Sequence, residues 1–357
     1  MTGSAAAGSG AGRRFAGREE LAALTREVYG AGRRLARVER LTGGSKKGVY
    51  RLSFQDQGPT AVLYVWSGDE DYWDPADRPE PFAHGTGLGL FKAAHARLSA
   101  AGVRVPDLYF ADDGHELYPA DVALIEDVRG GTLEARLAGE HAEPMERLAD
   151  GLRAMARCRS RDLGKVALVE SGQGISGPAS RIVLEVALGD LAEAASRVEP
   201  IGRAAAELEE RLRELAAGIE PRTDHGLMHG ELGPDHVLMD DDDRPVLIDV
   251  EGAMFFDVEW EHVFLRIRFG DHYARLRADG LDERRMRLYR LAQHLSLVAG
   301  PLRLLDGDFP DRAFMLEIAR HHTQEVLQTG ACRTYGDNRP PGPLRRRSIW
   351  STLRKVS

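Results

Sequence analysis

One short stretch of the chain gathers groups that can hold a divalent cation and accept a proton. His229-Gly230-Glu231 is followed by Asp235-His236, then by four consecutive aspartates at 240–243, and then by Asp249-Val250-Glu251. Carboxylates are hard oxygen donors suited to Mg²⁺ or Mn²⁺, and an imidazole adds a nitrogen donor that softer ions accept more readily. Residues 222–262 carry twelve Asp and Glu against two Arg, a local balance of −10, whereas the whole chain carries −8. Such a concentration suits a divalent cation or a cationic substrate and opposes nucleic acid at the same surface. His225, His229, His236 and His262 lie among these acids and raise a second possibility, a transition-metal hydrolase site. The sequence has no HExxH, and His229-Gly230-Glu231 lacks the downstream Pro-Cys-x-x-Cys of a zinc deaminase, so His229 is read as a loop histidine that supports structure.

For these groups to meet, the chain between them must double back. Val237-Leu238-Met239, the turn 240–244 and Pro245-Val246-Leu247-Ile248 form a β-hairpin pattern that returns a carboxylate to the loop it left. Upstream, residues 38–41 and 49–54 flank the glycine-bearing loop Thr42-Gly43-Gly44-Ser45-Lys46-Lys47-Gly48 and read as a hairpin, residues 60–66 as a third strand, and residues 122–125 as a last one. Residues 18–29 and 90–100 have helical spacing, and residues 68–89 read as a long loop. Downstream, apolar stripes predict helices near residues 145–155, 182–195, 204–219, 286–305 and 313–327. The expected organisation is therefore α+β and bilobal: a tail at 1–15, a β-rich lobe at 16–127, a mainly helical lobe at 128–337 and a basic tail at 338–357. That last tail has six basic residues and no acid; a solvated tail is the simpler reading, and contact with a polyanion or membrane surface is the alternative. No apolar run reaches the length of a membrane span, residues 1–12 lack the apolar region of a signal peptide, and the two cysteines, Cys158 and Cys332, have no metal-ligand spacing. Two reduced thiols and a cytoplasmic location are expected.

The stretch from Leu227 to Leu238, followed by Leu247-Ile248-Asp249-Val250-Glu251, resembles the catalytic segment of the aminoglycoside phosphotransferase and choline kinase family of small-molecule kinases, which has a protein-kinase-like fold. Gly43-Gly44-Ser45 before Val49-Tyr50-Arg51-Leu52 is similar to that family's nucleotide loop, residues 102–106 to its Gly-Val-x-Val-Pro step, and Leu124-Ile125-Glu126-Asp127 to its hinge. Together these cover residues 38–265 in the family's order. The resemblance implies an ATP- or GTP-dependent phosphotransferase acting on a small hydroxylated molecule, an antibiotic among the options, with Mg²⁺ or Mn²⁺ on the phosphates. Its implied roles place Glu231 at the catalytic carboxylate, His236 and Asp249 at the metal with Glu251 as an accessory ligand, and the backbone of Glu126 to Val128 at the purine. Asp257, with Glu261 four residues on, resembles the acidic pair that buttresses the catalytic loop.

Four positions depart from the family pattern. Tyr64 stands where the third strand carries a phosphate-binding lysine, and Phe91 falls where that lysine's glutamate partner would lie; Glu231 replaces an aspartate and His236 an asparagine. The chain has five lysines, two of them, Lys46 and Lys47, in the glycine loop itself, where either could supply the absent positive charge. Turnover and a nucleotide-binding protein that has lost turnover are both compatible with these substitutions.

Overall fold

The computed structural model describes residues 12–41, 44–73, 78–137 and 143–331; Gly43, Cys332 and the tail at 338–357 lie outside them. Two compact units emerge, one from the start to residue 72 plus 108–127, the other from 73–107 and from 128 onward.

In the first unit α1 (Ala22–Tyr29) precedes β1 (Leu35–Arg40), β2 (Gly48–Phe54) and β3 (Ala61–Trp66). After the excursion into the second unit, which includes α2 (Leu88–Ala100), the chain returns as β4 (Leu108–Asp112) and β5 (Asp121–Glu126). The five strands pair antiparallel in the order β1-β2-β3-β5-β4. Burial alternates along β2, so Tyr50, Leu52 and Phe54 share one face with Leu63, Val65, Val122 and Leu124. Leu21 and Leu24, at the start of α1, cover that face.

In the second unit α3 (Leu133–Leu137) and α4 (Glu143–Arg157) come first. They are followed by the two-residue strands β6 (Arg159–Ser160) and β7 (Gly164–Lys165), then by α5 (Val166–Glu170), α6 (Ala179–Arg197) and α7 (Glu199–Ala217). Next come β8 (His225–Met228), the hairpin β9 (Val237–Met239) and β10 (Pro245–Leu247), then β11 (Met254–Phe256) and α8 (Val258–Phe269). The described chain closes with α9 (Glu283–Leu304) and α10 (Arg312–Ala331). A small sheet runs β6-β8-β11-β7. The core is helical: Val183, Ala187 and Leu191 of α6 meet Leu208 and Leu212 of α7 and Leu288 and Leu295 of α9. Phe256 and Trp260 join this cluster from β11 and α8.

The overall class is the expected α+β arrangement of a β-rich N-terminal region and a mainly helical C-terminal one. One detail differs from a simple division after residue 127: α2 and its flanks group with the helical unit, because Phe91, Ala94 and Leu98 are buried on a helix that packs against α5 and the turn after Asp249. Among the described residues no helix is long and apolar enough to cross a membrane.

Candidate active site

The candidate catalytic segment is built outward from β8, a strand whose four residues are all buried. β8 pairs with β11 through Met228 and Met254, so the start of the loop at residue 229 and the end of the turn at residue 253 lie side by side. Gly230 adopts φ +94, and a side chain there would bring its Cβ to 2.9 Å from the Gly252 carbonyl oxygen. The β9–β10 hairpin keeps the register Val237↔Leu247, and the Ile248 amide donates to the His236 carbonyl at 3.0 Å. In this way His236 and Asp249, thirteen residues apart in the chain, reach an Nε2 to Oδ2 separation of 3.8 Å.

The tautomers follow from the hydrogen bonds. His236 Nδ1 lies 2.8 Å from the Glu231 carbonyl oxygen, which only accepts, so Nδ1 carries a hydrogen and donates it. Nε2 lies 3.8 Å from Asp249 Oδ2 and 3.9 Å from Asp235 Oδ2. Asp235 is fixed by the buried guanidinium of Arg268 at 2.6 Å, and Gly233 is required here because a Cβ would lie 2.5 Å from the Asp235 carboxylate. Asp249 itself sits in the left-handed region, φ 62 and ψ 47, a conformation uncommon for a residue with a side chain.

His229 has the complementary tautomer. Its Nε2 donates to the Ile248 carbonyl at 2.9 Å, and Nδ1 accepts from the Glu231 amide at 3.4 Å. Burial, reinforced by the neighbouring His236, holds its pKa down at about 4, so this imidazole is neutral and spans the loop and the segment leading to Asp249. Glu231 is fixed through its backbone on both sides while its side chain remains exposed.

The loop closes around Glu261, one of the two acids expected to buttress it. Glu261 of α8 is buried and accepts from the Gly230 amide at 2.7 Å and from Leu232 at 3.4 Å; burial pushes its pKa up to about 7 against those hydrogen bonds. Asp257, at the start of the same helix, turns to other partners: Arg285 Nε at 2.8 Å, the Tyr289 hydroxyl at 2.6 Å and His225 Nδ1 at 3.2 Å. Burial raises its pKa, but the hydrogen bonds from His225 and Tyr289 and the charges of Arg285 and Arg222 outweigh it, leaving the group at about 2. Glu261 thus grips the loop, while Asp257 ties α8 to α9 and β8.

Glu251 is buried in the turn after Asp249. Among the described residues no three His, Cys, Asp or Glu side chains converge to hold a metal by themselves. The four aspartates at 240–243 are turn chemistry: Asp240 Oδ1 accepts from the amides of Asp242 at 3.0 Å and Arg244 at 2.9 Å.

In the β-rich unit, the register Val49↔Tyr64 puts Lys47 diagonally across from Tyr64 on one face of the sheet. Lys47 is buried, and its ammonium lies 4.8 Å from the Tyr64 ring centroid, over a residue that stands on the third strand. Lys46 is half-buried, as are Gly44 and Ser45, and the Ser45 carbonyl accepts from the Tyr72 amide at 2.9 Å. Glu126 ends β5; Asp127, beside it, receives Arg51 at 2.8 Å. Val128 and Phe91 are buried in the second unit.

Comparison with known proteins agrees with this architecture. Residues 37–292 match the phosphotransferase enzyme family, and the chain belongs to that family, within the protein-kinase-like superfamily that includes the aminoglycoside phosphotransferases. Similar solved structures include spectinomycin phosphotransferase APH(9)-Ia in complex with ADP and spectinomycin, with a TM-score of 0.61 and 12% identity over 89% of this chain and 98% of that one. A thermostable mutant of aminoglycoside phosphotransferase APH(4)-Ia superposes with a TM-score of 0.58 and 18% identity over 88% of this chain and 99% of that one. A fructosamine-3-kinase assignment from Thermobifida fusca YX-ER1 gives 0.51 and 21% over 87% of this chain and 100% of that one. No curated protein matches the chain by sequence.

Proposed function

We propose that this chain is an O-phosphotransferase that moves the γ-phosphoryl group of ATP or GTP to a hydroxyl of a small molecule. The observation that carries the reading is the convergence of His236 Nε2 and the Asp249 carboxylate, 3.8 Å apart, next to the loop that presents Glu231.

This pair fits a divalent cation. Two donors, one carboxylate and one imidazole, suit Mg²⁺ or Mn²⁺, which complete their coordination with water and nucleotide phosphate rather than with a protein cage. The metal supplies charge neutralisation on the phosphates when bound. Glu251 is the accessory candidate in the following turn. His236 is oriented by the Glu231 carbonyl, and Asp249 by its left-handed backbone and the hairpin behind it.

Glu231 is the acceptor of the substrate proton. The acceptor oxygen forms a bond to the γ-phosphorus, the bond to the β–γ bridging oxygen breaks to release the nucleoside diphosphate, and the hydroxyl proton passes to the Glu231 carboxylate. Its side chain is exposed and its backbone is held on both sides, so the carboxylate reaches outward from a fixed base. In the β-rich unit, the Gly43, Gly44 and Ser45 loop, Lys46 and Lys47 and the Glu126 backbone are the nucleotide-binding candidates, with Val128 following from the second unit. Lys47 is the better source of positive charge, since the Tyr64 ring holds its ammonium in place.

Polyhydroxylated amines of the antibiotic type lead the acceptor candidates, in keeping with the acidic 222–262 segment and with the spectinomycin bound by one structural relative. Nucleoside diphosphate release should be followed across a panel of such amines and of neutral metabolites, with ATP or GTP and either metal. Glu231→Gln is expected to keep nucleotide affinity and lose about a hundredfold or more in kcat. Tight nucleotide binding without turnover for any acceptor would favour a binding protein of the same fold.

A further inference from the structure

The second unit contains an ion pair with a buried ammonium and a half-exposed carboxylate that none of the family motifs includes. Lys165, on the edge strand β7, is 3% exposed, and its ammonium meets both carboxylate oxygens of Glu80 at 3.1 and 2.9 Å. Removing an ammonium and a carboxylate from water costs several kcal/mol, which the pair recovers only when its geometry is good. Here the one ammonium contacts both carboxylate oxygens across 85 residues of chain, and Glu80 keeps part of its hydration.

The segment that carries Glu80 is part of the long connection from β3 to α2. Among its described residues, 78–87 form no helix or strand. Here residues 78–85 are pinned to the helical unit at successive points. Arg78 meets Asp190 of α6, Glu80 meets Lys165, and Phe82 lies 4.6 Å from the Trp260 ring and 5.4 Å from that of Phe256. Gly85 then passes over the turn after Asp249. A Cβ built on it would lie 3.6 Å from Gly252 Cα and 3.6 Å from Lys165 Cε.

From Gly252 the contacts continue into the catalytic loop. A Cβ on Gly252 would be 3.7 Å from the His229 carbonyl oxygen, and one on Gly230 would be 2.9 Å from the Gly252 carbonyl oxygen. Glycines 85, 252 and 230 therefore approach one another through their backbones, with the Lys165 side chain beside the first contact and that of Met254 beside the last. β7 fixes the other flank of the same turn, since Lys165 pairs with Met254 and the Val166 amide donates to the Ala253 carbonyl at 3.0 Å.

We infer that the Lys165–Glu80 pair is a positioning clamp for the phosphotransferase site: it presses the 78–85 segment onto the Asp249–Gly252 turn and so sets where Asp249 stands relative to His236. The role rests on the transferase reading for its catalytic consequence, but its structural core does not. Neither residue touches the reacting atoms, so the effect should appear in kcat and metal affinity, with nucleotide KM changing little once metal is saturating.

The test compares Lys165→Met, Glu80→Gln and the reversed pair Glu80→Lys/Lys165→Glu with the wild-type chain. Mn²⁺ binding is followed by electron paramagnetic resonance with a non-hydrolysable ATP analogue, and amide hydrogen exchange is followed along the chain. Each single variant should weaken Mn²⁺ binding about tenfold, lower kcat by about ten- to a hundredfold, and accelerate exchange selectively in residues 229–232 and 249–254. The reversed pair should recover part of each loss. Unchanged exchange in those two segments in a folded variant overturns the proposal, as does loosening confined to residues 78–85 and β7. If Lys165→Met does not fold, Glu80→Gln decides, because Glu80 is the more exposed partner at 32%. A wild-type chain without turnover on any acceptor would sink the transferase reading, while the exchange data would still decide the clamp.

Discussion

His236 donates through Nδ1 to the Glu231 carbonyl oxygen at 2.8 Å, which joins the candidate base and the candidate metal ligand through the backbone of one and the ring of the other. The same bond turns Nε2 toward Asp249. His236→Asn replaces that nitrogen with an amide oxygen and should weaken Mn²⁺ affinity by at least about tenfold while shifting preference toward Mg²⁺. Activity or nucleotide affinity measured against each metal reads this directly, and an unchanged Mn²⁺/Mg²⁺ ratio would remove His236 from the ligand set.

Two adjacent lysines occupy different environments. Lys47 is buried with its ammonium over Tyr64, whereas Lys46 is half-buried. Lys47→Ala should raise the KM for nucleotide about tenfold, and Lys46→Ala should change it less than about twofold. Equal effects would mean that the loop acts through its net charge and not through a placed cation.

Glu261 gives the fold a distinct pH signature. In the unfolded chain this carboxyl releases its proton near 4.5, and in the folded protein near 7, so the native state binds more protons between those values. Its contribution to stability is present below about 4.5 and is lost as pH rises through 7, at up to about 1.4 kcal/mol per pH unit. Glu261→Gln stays uncharged throughout. The stability difference between the wild type and this variant, from denaturant unfolding at several pH values, should therefore slope across the window and flatten above it.

Buried neutral histidines act in the opposite direction. Burial lowers His229 and His262 to about 4 and His294 to about 3, against 6.5 in an unfolded chain. The unfolded state then binds more protons below 6.5, so the stability they give is present above 6.5 and lost as pH falls toward 4. Thermal unfolding should show Tm falling steeply over that range, and His294→Gln should make the fall shallower. An equally steep fall in His294→Gln would assign the acid sensitivity to other groups.

Much of this architecture could be read from local pattern. The β9–β10 hairpin announced itself through an Asp-rich turn between apolar runs, and α6, α7 and α9 through apolar stripes. α8 did not, because Glu259, Trp260, Glu261, His262, Val263 and Leu265 are all buried: a helix enclosed on nearly every side has no polar face to set a period. β6 and β7 hold two residues each, too few for any alternation. Asp235 and Arg268 were invisible as a pair for another reason. Their partnership depends on the loop folding back over α8, which no spacing along the chain encodes.

Asp257 and Glu261 stand one turn apart on α8, the first bound to Arg285 and Tyr289 of α9, the second to the amides of the catalytic loop. The rotational setting of a single helix therefore fixes two things at once, the seal of the helical core and the height of the loop that carries Glu231. A substitution that turns α8 should therefore disturb both together, and a change that restores them is expected in α9.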